Sequence, residues 1–175
     1  MINDISNILK KESIFISLIL ILALSRLIPH PPNFTPIIAM AIMSNYFFRN
    51  IYSSIAVLFF SMLLSDIFIG FYKNMFFVYL SLFLIAIIFF KINRRFKKNY
   101  KNLFLYGLFG SILFYLISNF GVWALGSLYE KNLTGLINCY ILAIPFFKNT
   151  LLSTIFFSYI SLITGICINR FLLKI

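Results

Sequence analysis

Arg26 and Asp66 are charged residues that fall inside apolar runs of this chain. A charge in the middle of a spanning helix costs at least about 2.5–3.5 kcal/mol, so each needs a partner or a use. Two readings are open. The residues form an ion pair that ties two helices together, or they frame a polar cavity in which Arg26 meets an anionic group and Asp66 orients Arg26 or accepts a donor. A second polar face comes from Tyr115, Asn119 and Trp123, which follow one another at i, i+4 and i+8 and so stack on one side of a helix, with Ser118 beside them. Trp123 and Tyr129 fit an interfacial aromatic belt, or Trp123 stacks on the ring of a ligand. An amide as deep as Asn119 needs hydrogen-bond partners, either from a neighbouring helix or from a bound molecule.

Residues 26–36 read Arg-Leu-Ile-Pro-His-Pro-Pro-Asn-Phe-Thr-Pro. The prolines at 29, 31, 32 and 36 predict a stiff, extended connection that serves as a lid or cavity wall. His30 is the single histidine, with no Cys/His cluster at metal-ligand spacing beside it, so it reads as a hydrogen-bonded loop residue and not as a zinc ligand. Cys139 and Cys167 read as free thiols, and no base is placed beside Cys139 to make it a nucleophile. The sequence contains no phosphate-binding glycine loop, no G-x-S-x-G elbow and no H-E-x-x-H helix. A non-catalytic protein without a resident cofactor or metal is therefore expected. Glu130 reads as a solvated loop acid.

These residues must be positioned inside a membrane. Of the 175 residues, 62% are hydrophobic and 11% charged, whereas a soluble globule carries about 25% charged residues. The net charge of +11 does not predict nucleic-acid binding, because the basic residues sit in short gaps between apolar runs. Crossing a core about 30 Å thick takes about 20 helical residues. The runs 14–28 with its flanks, 51–72, 74–92, 103–126 and 149–173 approach or meet that length, while 36–48 and 135–147 are shorter. If 36–48 crosses and 135–147 does not, Lys10, Lys11, Arg49, Lys91, Arg94, Arg95, Lys97, Lys98, Lys101, Arg170 and Lys174 fall on one side, against Lys73, Lys131 and Lys148 on the other. Basic loops stay in the cytoplasm, so both termini are placed there. The expected fold is an all-α, polytopic transmembrane bundle forming a single integral domain over 1–175. It has six spans, with Pro36 in the first turn of a short second helix, plus a short re-entrant or interfacial helix at 135–147 that ends near Pro145. The first run resembles a secretory signal but reads as an uncleaved anchor of an inner-membrane, multi-pass protein.

The proline-rich block, followed by Ala39 and Ala41, resembles the start of a bacterial family of uncharacterised small integral membrane proteins. Later blocks carry the likeness further: Leu64-Ser65-Asp66 with Gly70, 118–123 around Asn119 and Trp123, and 135–150 through Cys139, Tyr140, Pro145 and Asn149. That family is similar in size, helix layout and block order to the substrate-binding S components of energy-coupling-factor (ECF) transporters. The resemblance implies a protein that captures a small-molecule solute, such as a vitamin or micronutrient, from outside the cell. It would then dock on an ECF-type coupling subunit driven by ATPases. The candidate ligand-binding set is Arg26, His30, Asn33, Asp66, Asn119, Trp123, Tyr140 and Asn149. In place of the Ala-x-x-x-Ala docking pattern of such components, the first helix has Ser13-x-x-x-Ser17, and Gly107-x-x-x-Ser111 offers a close-packing surface elsewhere. The alternative is a membrane assembly or scaffold protein that recruits another membrane protein through such a surface.

Overall fold

The computed structural model describes residues 2–48, 50–96, 102–168 and 170. Among them there are six α-helices and no strand: α1 (Ile2–Leu24), α2 (Ile37–Phe47), α3 (Ile51–Ile69), α4 (Met75–Phe96), α5 (Leu103–Leu125) and α6 (Leu133–Cys167), with a 3-10 turn at Ser25–Leu27 after α1. Four of them, α3 to α6, are long and apolar enough to cross a membrane. Arg49, Lys97, Lys98, Lys101 and Lys174, which contribute to the sequence-based orientation, lie outside the described residues.

The bundle is organised around α2. Its apolar residues run round the whole cylinder, a pattern that suits a helix enclosed on every side. Ile37 through Tyr46 are all buried, and α2 packs against each of the other five helices. Eleven residues make a helix only about 16 Å long, roughly half the thickness of a hydrocarbon core. The C-terminal part of α2 is fixed by a buried polar cluster. Asn45 Nδ2 donates to Ala86 O of α4 at 2.9 Å, and the single hydroxyl proton of Ser54 on α3 is shared between Ser44 Oγ at 2.7 Å and Asn45 Oδ1 at 3.0 Å. Because every one of these groups is buried, the mutual bonding avoids the desolvation cost each would carry alone.

Helix α6 corrects the expectation for 135–147. That segment is neither re-entrant nor a separate interfacial helix, since it runs without a break into the following run as one 35-residue helix with Pro145 inside it. Proline removes one N–H from the ladder and leaves the rest intact, and helix packing in a membrane bundle tolerates that loss. Here the packing lies on both sides of the proline. Tyr115 of α5 donates from its hydroxyl to Tyr140 O at 2.5 Å and meets the Phe147 ring edge-on at 5.2 Å, and Tyr140 donates from its hydroxyl to Leu116 O at 2.7 Å. Asn132 caps the helix start by accepting from Gly135 N at 2.8 Å.

The Gly107-x-x-x-Ser111 surface is also not what the spacing predicted. Both residues are buried inside the bundle. A Cβ on Gly107 would lie 3.3 Å from Ile155 Cγ1 of α6, and one on the neighbouring Gly110 would lie 3.1 Å from Ile38 Cγ2 of α2. The stripe therefore seats α5 on α2 and α6 and is not open to a docking partner. Gly110→Leu is accordingly expected to destabilise the purified chain by about 1–3 kcal/mol through overpacking, read as a lowered unfolding midpoint in detergent. An unchanged midpoint would mean that α2 does not sit against this face. In α1, by contrast, Ser13 and Ser17 are exposed.

Candidate functional site

Because α2 fills only part of the bundle's length, a void remains above its N-terminus. Its volume is about 450 Å³, and Ile37, the first residue of α2, lies on its floor. Arg26 closes one side, and Asn33 and Thr35 come from the proline-rich connection. The turn before α4 contributes Tyr72 and Asn74, and α5 contributes Phe114, Tyr115, Ser118 and Asn119. Opposite stand Cys139, Ala143, Phe146, Phe147 and Thr150 of α6, and Leu128 and Tyr129 reach in from the α5–α6 connection. The wall is thus mostly aromatic and apolar with a few convergent polar groups, the composition of a small-molecule seat.

Arg26 is held by a buried constellation. Its Nη2 stands 2.8 Å from Asp66 Oδ1, an ion-pair contact, and its Nη1 donates to Ser65 Oγ at 2.5 Å. The second carboxylate oxygen of Asp66 accepts from the Tyr79 hydroxyl of α4 at 2.9 Å. The Asp66 side chain is fully buried and the Arg26 side chain 9% exposed, so the carboxylate lies behind the guanidinium and only the guanidinium borders the cavity. The pair links the 3-10 turn after α1 to the end of α3, and Tyr79 adds α4. Tyr72, in the connection after α3, has its hydroxyl pKa pushed up to about 12, first by burial and then by the carboxylate of Asp66. It therefore stays protonated throughout the physiological range.

On α5, Asn119 donates from Nδ2 to Tyr115 O at 2.8 Å, and its carboxamide oxygen takes no bond among the described residues. Ser118 is 8% exposed, borders the cavity, and its hydroxyl is likewise without a partner there.

Residues 28–36 do not form the extended connection that their prolines predict. The chain turns at Pro31–Phe34, with Phe34 N donating to Pro31 O at 2.9 Å and Asn33 at a φ of 61°. Pro32 and Asn33 occupy the two central positions, the second of which needs positive φ; asparagine tolerates it better than most residues. The turn is fastened to α6. Asn149 Nδ2 donates to Pro32 O at 2.9 Å, and the Phe34 ring lies 5.9 Å from that of Phe157.

Of the eight residues singled out from the sequence, Arg26, Asn33 and Asn119 border the cavity, and Asp66 stands directly behind Arg26. The other four do not border it. His30 is exposed, with Nδ1 2.9 Å from Pro31 O. Trp123 donates from Nε1 to Glu130 O at 2.9 Å, and Lys131, lying over the Trp123 ring, donates to Gly126 O at 2.6 Å and to Trp123 O, which caps the end of α5. Tyr140 clasps α5, and Asn149 holds the proline turn. Tyr72, Tyr79 and Ser65 were missed. Tyrosine and serine in apolar helices carry no signal until their neighbours are known, although Ser65 adjoins Asp66 in sequence.

The chain belongs to the family described as "Family of unknown function (DUF6580)", which matches it over residues 6–168. No curated protein and no solved structure matches it.

Proposed function

We propose that this member of the family is a substrate-binding membrane subunit, similar in role to the S components of ECF transporters, that takes up a small solute from the outer face of the inner membrane. In this reading the chain crosses six times with both termini in the cytoplasm, and α1 and α2 supply the first two passes. The observation that carries the proposal is the void above the short α2. An inward-facing row of polar groups on α5 and a fixed proline turn meet there around a space suited to one small molecule. Arg26, Asn33, Ser118 and Asn119 would read the solute's polar edges, and the surrounding aromatic rings would enclose its body. The chain shows no nucleotide-binding loop, so uptake would depend on a coupling subunit and ATPases supplied by other chains. The exposed Ser13 and Ser17 on α1 leave a small-residue face for that docking.

The test is the molecule that travels with the protein. Mass spectrometry of the chain purified in mild detergent is expected to find a small solute at near-stoichiometric occupancy, and Asn119→Ala is expected to lower that occupancy at least tenfold without changing the yield of folded protein. Full occupancy in the variant would remove Asn119 from the seat. The alternative reading, a scaffold that recruits another membrane protein, predicts a copurifying polypeptide and no solute. It loses its proposed contact surface at Gly107 and Ser111, because both are buried within the bundle.

A further inference from the structure

The charges around the cavity cancel before a solute arrives. Among the described residues that border it, Arg26 alone carries a formal charge, and Asp66 Oδ1 stands 2.8 Å behind its Nη2, while Ser65 Oγ takes Nη1 at 2.5 Å. The pair is neutral as a unit. A guanidinium has five N–H donors, so Arg26 still offers donors to the cavity without offering a net charge. A solute with a charge of its own would enter a largely apolar space that holds no uncompensated opposite charge, which is a costly transfer for either sign.

Asn119 sets a second condition. A backbone carbonyl accepts and cannot donate, so the side chain can meet Tyr115 O only through its amide N–H. With Nδ2 held there at 2.8 Å, the carboxamide is fixed in one of its two flips and Oδ1 is left as an acceptor on a residue that borders the cavity. An acceptor on the wall calls for a donor on the solute and disfavours a carboxylate or a phosphate. Asn33 and Asn74 place two more carboxamides around the same space, and neutral amides are matched by groups that donate and accept side by side. The rings of Tyr115 and Phe147, edge-on to each other at 5.2 Å, and the buried ring of Phe114 supply flat apolar wall. A cavity of roughly 150 Å³ accommodates one benzene. About 450 Å³ therefore has room for fused rings.

We propose that the solute is a neutral, planar, fused-ring heterocycle with ring N–H and carbonyl groups on its edge. An N–H donates to Asn119 Oδ1, and a carbonyl accepts from the Arg26 guanidinium. This inference rests on the cavity being a solute seat, and it adds the chemical class of the solute and the residue that selects it.

Four two-ring probes of similar size test it by titration calorimetry on the full chain in detergent. Quinazoline-2,4-dione is neutral and carries both ring N–H and carbonyl groups, its 1,3-dimethyl derivative keeps the carbonyls and lacks the N–H groups, 2-naphthoate is an anion and 2-naphthamidine a cation. The unmethylated dione is expected to bind at least tenfold more tightly than each of the other three. Asn119→Leu removes the acceptor, and should weaken that dione at least tenfold while leaving the dimethyl derivative within about twofold. Should the variant fail to fold, the two diones on the natural chain decide the matter, because methylation makes the same deletion from the ligand's side. Either charged probe binding as tightly as the dione, equal affinity for the two diones, no detectable binding of the unmethylated one, or an equal loss of both in Asn119→Leu would each overturn the proposal. A charged molecule that copurifies with the protein would preserve solute capture and refute the neutral class alone.

Discussion

Asp66→Ala is expected to cost the folded protein about 3–5 kcal/mol, the usual penalty for removing one partner of a buried ion pair. The reason is the isolation of what remains. Arg26 would keep Ser65 as a hydrogen-bond partner but face no counter-charge, and the Tyr79 hydroxyl would lose its acceptor, in a place that water reaches poorly. Arg26→Met should be similarly harmful, because it leaves the fully buried carboxylate with only a tyrosine. The double change Asp66→Leu with Arg26→Met should recover most of the loss, since apolar groups of similar volume replace a buried pair at little net cost. Equilibrium unfolding of the three variants in detergent measures the cycle. If the double variant is no more stable than Asp66→Ala, the pair is not a lock between the turn after α1 and the end of α3, and Arg26 has another anchor. Solute occupancy in the double variant adds a second answer. A bundle that regains stability and still fails to hold its solute would show that the guanidinium is needed at the wall and not only within the scaffold.

The helical class and the membrane setting were legible in the composition, because no soluble fold absorbs so few charges and so much apolar surface. That Arg26 and Asp66 each need a partner or a use was legible for the same reason, but the sequence left their pairing as one of two open readings, and the 2.8 Å contact decides it. Chain breaks were read less well. Pro145 looked like an end of helix, yet one missing N–H is a local loss that the paired tyrosines on α5 and α6 outweigh. The Gly107-x-x-x-Ser111 stripe looked like an outward face because spacing tells which residues share a face but not which way that face turns. Burial settled it, and the reason is α2: a helix enclosed by all five others must be met by small residues somewhere, and Gly110 supplies one such approach.

The candidate site shows the same division. Asn119 was identifiable because a deep amide is costly without partners, and it does border the cavity. Trp123, on the same helical face two turns from Tyr115, does not, because its indole N–H is drawn to Glu130 O in the connection to α6. Periodicity placed the face correctly, and a hydrogen bond to the connection that follows the helix moved one residue out of the wall. Asn149 behaves alike, serving the proline turn through Pro32 O and not the void. The Asn149–Pro32 contact joins positions more than a hundred residues apart and leaves no trace in local spacing.

The void itself follows from one length. Had α2 been long enough to run the full height of the bundle, its side chains would occupy the space that Tyr115, Asn119 and Ala143 now surround. Filling that space from the opposite wall should therefore remove binding while sparing the fold. Ala143→Trp on α6 does this, because Ala143 borders the cavity, is 6% exposed, and has open volume in front of it. The variant is expected to unfold at a midpoint no lower than that of the natural chain, since added apolar contact in an existing void offsets the reshaping it requires. Solute affinity should fall at least a hundredfold, about 2.7 kcal/mol. The combination matters more than either value, for a destabilised variant that lost its solute would say nothing about location. A stable Ala143→Trp protein that retains the copurifying molecule would place the seat elsewhere in the chain. It would also turn the gap above α2 into an unfilled defect of packing, a costly feature for a bundle to keep without a use.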